Sequence, residues 1–169
     1  HYEKMSCKRF LKQYPNLLIV NAFTKFYAMA GLRLGYLMTG DLSLLHAVAQ
    51  QLPEWNVSSI AQRAGISALQ DTEYEKRTRQ LIEKERRYLI QEFLKMGCTV
   101  FPSEADYITF RLPQEKTGFL LKERLLEGKI LIRSCANYRN MPPDCYRIAV
   151  KQHADNEELV RQVWRILIQ

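Results

Sequence analysis

Thr24-Lys25-Phe26-Tyr27-Ala28-Met29-Ala30-Gly31-Leu32-Arg33-Leu34-Gly35-Tyr36 sets one lysine, one arginine and two glycines in an otherwise uncharged, aromatic stretch. Apolar runs of strand type flank it, 17–20 before and 35–39 after, so Lys25 falls on the connection between two strands that the sequence predicts to be buried. Such connections present side chains to a cleft. Phe23, Phe26 and Tyr27 would desolvate a lysine held there, and desolvation favours the neutral amine that attacks a carbonyl carbon. Arg33 and the glycines suit a phosphate, because a planar guanidinium grips it bidentately and glycine lets the backbone come close.

Outward from that stretch, 169 residues at 47% hydrophobic and 25% charged predict a globular chain with a real core. No apolar run approaches the roughly 18 to 20 residues of a membrane span. His1-Tyr2-Glu3-Lys4 reads as neither a signal nor a transit peptide, so a cytoplasmic protein is expected. Cys7, Cys98, Cys135 and Cys145, like His1, His46 and His153, are scattered without ligand spacing, which suggests neither a metal site nor a disulfide framework. A net charge of +7 invites a nucleic-acid reading, best supported by 83–87 with Lys76, Arg77 and Arg79. Acidic residues interleave with the basic ones there, so the segment reads as a solvated helix face.

Residues 3–14 read as a surface helix stopped by Pro15. After the second strand, Asp41 or Ser43 would cap a helix over 42–51, and a small-residue helix over 58–69 spaces Ile60, Ala61, Ala64 and Ala68 for close packing. A long charged helix over 71–96 follows, with Tyr74, Leu81, Ile82, Tyr88, Leu89 and Phe93 as its buried stripe and Gly97 as its stop. Beyond it, strands at 99–101, 107–110, 130–132 and 146–150 alternate with helices at 115–126 and 156–168, which predicts a compact α+β lobe. Arg133 follows one of those strands and Arg147 interrupts another. An arginine so placed needs an anion, either a ligand carboxylate or phosphate or a salt bridge within the lobe.

The string from Lys25 through Ala30-Gly31-Leu32-Arg33-Leu34-Gly35-Tyr36 resembles the cofactor-lysine signature of fold-type I pyridoxal-phosphate enzymes of the class I/II aminotransferase group. The resemblance implies an α/β fold, with 1–70 as the C-terminal section of the cofactor-binding large domain and 71–169 as the small α+β domain. It gives Lys25 the covalent bond to pyridoxal 5'-phosphate and gives Thr24 and Arg33 the cofactor phosphate. A second hydroxyl that the family often carries three residues before the lysine is Ala22 here. Arg147 matches the arginine that clamps the substrate α-carboxylate. Residues 132–139 and 146–150 resemble one branch more closely, the threonine-phosphate decarboxylases of cobalamin biosynthesis, near the histidinol-phosphate aminotransferases. In that branch Arg133, with Asn137 near it, is the candidate for the substrate phosphate.

The same resemblance leaves the reaction open between two outcomes. If Arg147 holds the carboxylate out of the cofactor ring plane, carbon dioxide leaves; if it holds the carboxylate near the plane, Lys25 removes the Cα proton and transamination follows. The implied partner is a small phosphorylated amino acid or amine rather than nucleic acid or membrane, with a homodimer at full length. A non-catalytic basic binding module is the competing reading from another class. About 16 residues precede the lysine strand, whereas the family sets much of its cofactor apparatus ahead of it. The chain therefore reads as the C-terminal part of such an enzyme, expected to be silent in isolation.

Overall fold

The apolar run before the lysine forms β1 (Leu18–Ala22), which pairs antiparallel with β2 (Gly35–Thr39) in the register Leu18↔Thr39 through Ala22↔Gly35. These strands belong to a computed structural model that describes residues 6–116 and 120–168. The chain separates into two compact units, 1–72 and 73–169.

In the first unit, helix α1 (Leu42–Gln50) starts where Asp41 Oδ1 accepts from the amides of Ser43 at 2.8 Å and Leu44 at 3.2 Å. Ser58 caps α2 (Ser59–Gln70) in the same way, its Oγ accepting from Ala61 N at 3.2 Å. Both caps satisfy amides that a helix start would leave unpaired. Helix α2 lies against the lysine loop: a Cβ on Gly65 would sit 2.5 Å from Leu34 Cδ2, so a larger residue there would require the Leu34 side chain to move. Phe23, Leu34, Ala61 and Ala68 are the buried hydrophobics of the unit.

Three expectations for this unit need correction. The strands are not buried, for β1 shows one half-buried residue among exposed ones. Ile60 faces outward and Gly65 takes the packing position in its place. Of the helix expected over 3–14, the described residues 6–14 hold a 3-10 turn at Cys7–Phe10, and residues 3–5 lie outside the described ones. Phe10 there packs edge-on against Tyr14, and a helix this short without a core to pack on is marginal.

The second unit runs from α3 (Thr72–Lys95) through β3 (Thr99–Val100), β4 (Tyr107–Arg111), α4 (Leu121–Glu127), β5 (Arg133–Ser134) and β6 (Cys145–Ala149) to α5 (His153–Ile168). Its sheet is antiparallel between neighbours, in the order β3-β4-β6-β5. Period-two alternation puts Ile108, Phe110, Tyr146 and Ile148 on the covered face, where they join Leu89, Phe93, Leu121, Leu125 and Val163 in one core. The Phe93 and Phe110 rings meet at 4.3 Å. Gly97, at φ +79, ends α3 as expected, with Cys98 N donating back to Phe93 O at 3.1 Å.

Here too the boundaries moved for physical reasons. Residues 130–132 are not a strand, because Ile130 N donates to Leu125 O at 2.9 Å and so closes α4, leaving the pairing with β6 to Arg133 and Ser134. The helix expected over 115–126 divides into a 3-10 turn at Gln114–Lys116 and α4, while 117–119 lie outside the described residues. Leu81 of the expected buried stripe is exposed. The segment read as a solvated face instead sends Glu85 and Arg86 inside, at 1% and 8% exposure. Among the described residues no helix is long and apolar enough to cross a membrane.

Candidate functional site

The lysine loop closes the β1–β2 ribbon. Phe23 N still donates to Leu34 O at 3.1 Å, and beyond that pair the chain turns through Thr24–Tyr27, with Ala28 N donating to Lys25 O at 3.0 Å. Phe23 packs inward on Tyr27 and Tyr36, with ring centroids 5.3 and 5.8 Å away. Lys25 is exposed, so within this unit Phe23 and Tyr27 pack into the core rather than cover the amine, contrary to expectation. Thr24 is half-buried beside it.

Arg33 stands at the far end of the loop with φ 54, a left-handed conformation that non-glycine residues seldom adopt. Its Nη1 donates to Ala30 O at 3.0 Å, folding the side chain back over the 3-10 turn Ala30–Leu32. A Cβ on Gly31 in that turn would meet nothing within 4 Å, so the backbone there is open to a ligand. Lys25, Thr24 and Arg33 place an amine, a hydroxyl and a guanidinium on one loop, groups whose chemistry suits an aldehyde bearing a phosphate.

In the second unit the sheet's open face gathers the basic residues. Arg133 and Arg147 are direct Cα partners across β5 and β6, and Thr109 of β4 is opposite Arg147 on its other side. Directly opposed residues share a face, and like charges in that position repel. Neither arginine has a salt bridge to a carboxylate of the described residues, whereas Arg111 on the same face donates from Nε to buried Asp144 at 2.8 Å. Burial pushes the Cys135 thiol up, and Arg147 and Arg133 nearby offset that only in part. Asn137 is exposed in the turn after β5, next to Tyr138, whose ring neighbours Arg133. Among the described residues no group of three or more His, Cys, Asp or Glu side chains is placed to hold a metal ion.

One polar cluster escaped the sequence altogether. Glu85 on α3 accepts from Asn156 Nδ2 at 3.0 Å and pairs with His153 Nδ1 at 2.9 Å, while Asn156 also bonds Lys151 through both N–H and C=O. Burial raises the Glu85 pKa, but the hydrogen bonds from Asn156 and His153 outweigh it and hold the carboxyl below its ordinary value. The cluster pins the β6–α5 junction, four residues past Arg147, onto α3. A charged residue at 85, four before Leu89 and eight before Phe93 on the buried stripe, was the available signal.

Comparison with known proteins bears directly on this arrangement. The family model for Aminotransferase class I and II matches residues 2–163. The threonine-phosphate decarboxylase of Salmonella typhimurium is 36% identical over 158 residues, covering 93% of this chain and 43% of that protein. The histidinol-phosphate aminotransferase of Oleidesulfovibrio alaskensis is 33% identical over 159 residues, covering 93% of this chain and 41% of its own. A solved histidinol-phosphate aminotransferase from Clostridium acetobutylicum superposes with a TM-score of 0.91 at 31% identity, covering 98% of this chain and 50% of that one. The chain thus spans about two fifths of the length of the curated relatives it matches.

Proposed function

We propose, since this chain belongs to the family of class I and II aminotransferases, that it supplies the lysine-bearing section and the small lobe of a pyridoxal-phosphate enzyme acting on a phosphorylated amino acid. Residues 1–70 are then part of the cofactor-binding large domain and 71–169 the small domain. The reaction is decarboxylation of the threonine-phosphate decarboxylase type, the activity named for the Salmonella relative. The observation that carries the substrate class is Arg133 opposite Arg147, two arginines neither of which has a salt bridge to a carboxylate of the described residues. Such a pair calls for a ligand with two anionic groups, as a carboxylate and a phosphate on one small molecule provide.

When bound, pyridoxal 5'-phosphate supplies an aldehyde and an electron-accepting ring. Lys25 would hold it covalently, and the Thr24 hydroxyl and Arg33 guanidinium would donate to its phosphate. Arg147 takes the substrate carboxylate and thereby sets which bond at Cα breaks. Arg133, with Asn137 beside it, takes the substrate phosphate. Lys25 moves the proton at Cα. A cytoplasmic homodimer is part of the proposal, and the free thiols of Cys98, Cys135 and Cys145 accord with a reducing compartment.

Amino transfer of the histidinol-phosphate type is the second reading, favoured by the backbone likeness to the Clostridium enzyme. Histidinol phosphate carries a phosphate and no carboxylate, so it would use Arg133 and leave Arg147 to a second substrate. Protein of the length its relatives have, assayed with O-phosphothreonine and with histidinol phosphate, separates the two. Carbon dioxide release from the first is expected. Amino transfer from the second with no carbon dioxide establishes the runner-up, and neither activity together with no borohydride-sensitive absorbance at Lys25 removes both.

A further inference from the structure

Three arginines on the open face of the sheet are held in two different ways. Arg111 takes a buried carboxylate, Asp144, at 2.8 Å. The Arg147 guanidinium carbon instead lies 4.8 Å from the centroid of the Tyr107 ring, and that of Arg133 lies 5.3 Å from the centroid of Tyr138. We propose that Tyr107 and Tyr138 are positioning residues that fix the two guanidiniums separately, Tyr107 for the substrate carboxylate and Tyr138 for its phosphate. Both roles rest on the reading of Arg147 and Arg133 as substrate-binding residues.

The physical difference between the two kinds of partner is what each leaves free. A carboxylate consumes the N–H fork of the arginine it pairs with, whereas a ring attracts the cation through its π face and takes no donor. An arginine has five N–H donors and no acceptor, so one held by a ring remains fully armed for an oxyanion. A ring also removes part of the rotamer freedom that binding would otherwise have to freeze, which raises affinity without adding a contact to the ligand. Opposed guanidiniums would tend to swing apart. The two rings, each on its own arginine, counter that repulsion while keeping the pair empty of carboxylate.

The elements that carry the rings are suited to the task. Tyr107 is on β4 opposite Ala149, one diagonal step from Arg147, which is itself opposite Thr109. That diagonal is within reach of long side chains on one face. Tyr138 comes from the turn after β5, and its amide donates to Cys135 O at 2.9 Å, so the turn is tied to the strand that bears Arg133. The two tyrosines therefore act from different elements, on different arginines, and their effects should separate by ligand.

The test uses the full chain and three probes: O-phosphothreonine, O-phosphoethanolamine, which lacks the carboxylate, and threonine, which lacks the phosphate. Calorimetry reads the affinity, and the Nε–H resonances of Arg147 and Arg133 report ring stacking without any ligand. Tyr107→Leu is expected to weaken O-phosphothreonine about three- to tenfold and to leave O-phosphoethanolamine unchanged. Tyr138→Leu should weaken both phosphate probes by a similar factor and spare threonine. Phenylalanine at either position keeps the ring and should restore parent affinity, with the neighbouring arginine resonance shifted by leucine and not by phenylalanine. The proposal is overturned if Tyr107→Leu binds O-phosphothreonine as the parent does while Arg147→Ala does not, an outcome that leaves the arginine reading intact. If the parent binds none of the probes, or Arg147→Ala binds as the parent does, that reading falls and the tyrosine roles fall with it.

Discussion

In residues 73–168 three helices and a four-stranded sheet bury one cluster around Phe93, Phe110 and Val163, whereas in 6–72 only Phe23, Leu34, Ala61 and Ala68 are buried hydrophobics, beneath a two-stranded ribbon. A ribbon of two strands is marginal in water without further packing. The arginine-bearing unit therefore has the larger core of its own, and the lysine-bearing unit the smaller. If Lys25 carries the chemistry and Arg133 and Arg147 the substrate, as proposed, the two roles fall in units of unequal autonomy and should be separable by mutation.

The largest effect tests that separation. In protein of the length its relatives have, Lys25→Ala should lower turnover by more than about a hundredfold, because on the proposed reading one side chain would supply both the covalent hold and the proton transfer. Binding of O-phosphothreonine through the other unit should survive. Turnover within about tenfold of the parent, measured by carbon dioxide release, would remove Lys25 from its role.

Next come the cores themselves. Phe93→Ala opens a cavity beneath Phe110 and should cost about 3–5 kcal/mol, read from urea denaturation of the full chain. Phe23→Ala should cost less, since Phe23 is walled largely by half-buried Tyr27 and Tyr36, which can collapse into the space. Equal costs at the two positions would erase the contrast between the units.

What the sequence revealed, and what it withheld, follows the range of the interactions. The cap at Asp41 and the stop at Gly97 were legible because each is made within a few residues, whereas Ser58, read as the first residue of its helix, turned out to be its cap. The lysine loop was legible because its chemistry is concentrated in one string. Strand β5 was misplaced by three residues because apolar content pointed to 130–132, while pairing with β6 was decided at Arg133. Glu85 was read as solvated because its partners His153 and Asn156 are 68 and 71 residues away. Tyr107 and Tyr138 drew no attention because their meaning comes from strand register and a turn rather than from their neighbours in sequence.

A smaller effect sharpens the picture of the unit with the larger core. Glu85→Leu should cost about 1–3 kcal/mol by leaving the side chains of Asn156 and His153 short of a partner. Its pH dependence has a definite sign. The folded carboxyl is held below its ordinary value of 4.5, so its contribution is present above that value and is lost as pH falls through the folded pKa. Between neutral pH and that range the parent should keep its advantage over the variant, and in more acid solution the two stabilities should converge. A gap that stays constant into acid would mean that Glu85 does not titrate with unfolding.

The smallest change in stability belongs to Val20, and there the difference between the units becomes a question of association. Val20 is 72% exposed on β1, and Ile60, Ile66 and Leu69 of α2 are exposed as well, so the first unit presents apolar side chains that its own core does not reach. β1 has β2 as its one ladder partner among the described residues, which leaves its other edge open to a further strand. A lysine at 20 keeps the strand's backbone pattern and forfeits little burial, so Val20→Lys should change the unfolding free energy read from urea denaturation by no more than about 0.5 kcal/mol. Charge on an open edge is nevertheless a strong deterrent to strand addition. We expect the parent chain to self-associate in sedimentation velocity at concentrations where Val20→Lys stays monomeric, while Leu131→Lys, a like change on an exposed residue of the other unit, leaves association as it was. A monomeric parent would show that the first unit shields its apolar surface unaided, and equal relief from both lysines would assign the association to charge in general rather than to the edge of β1.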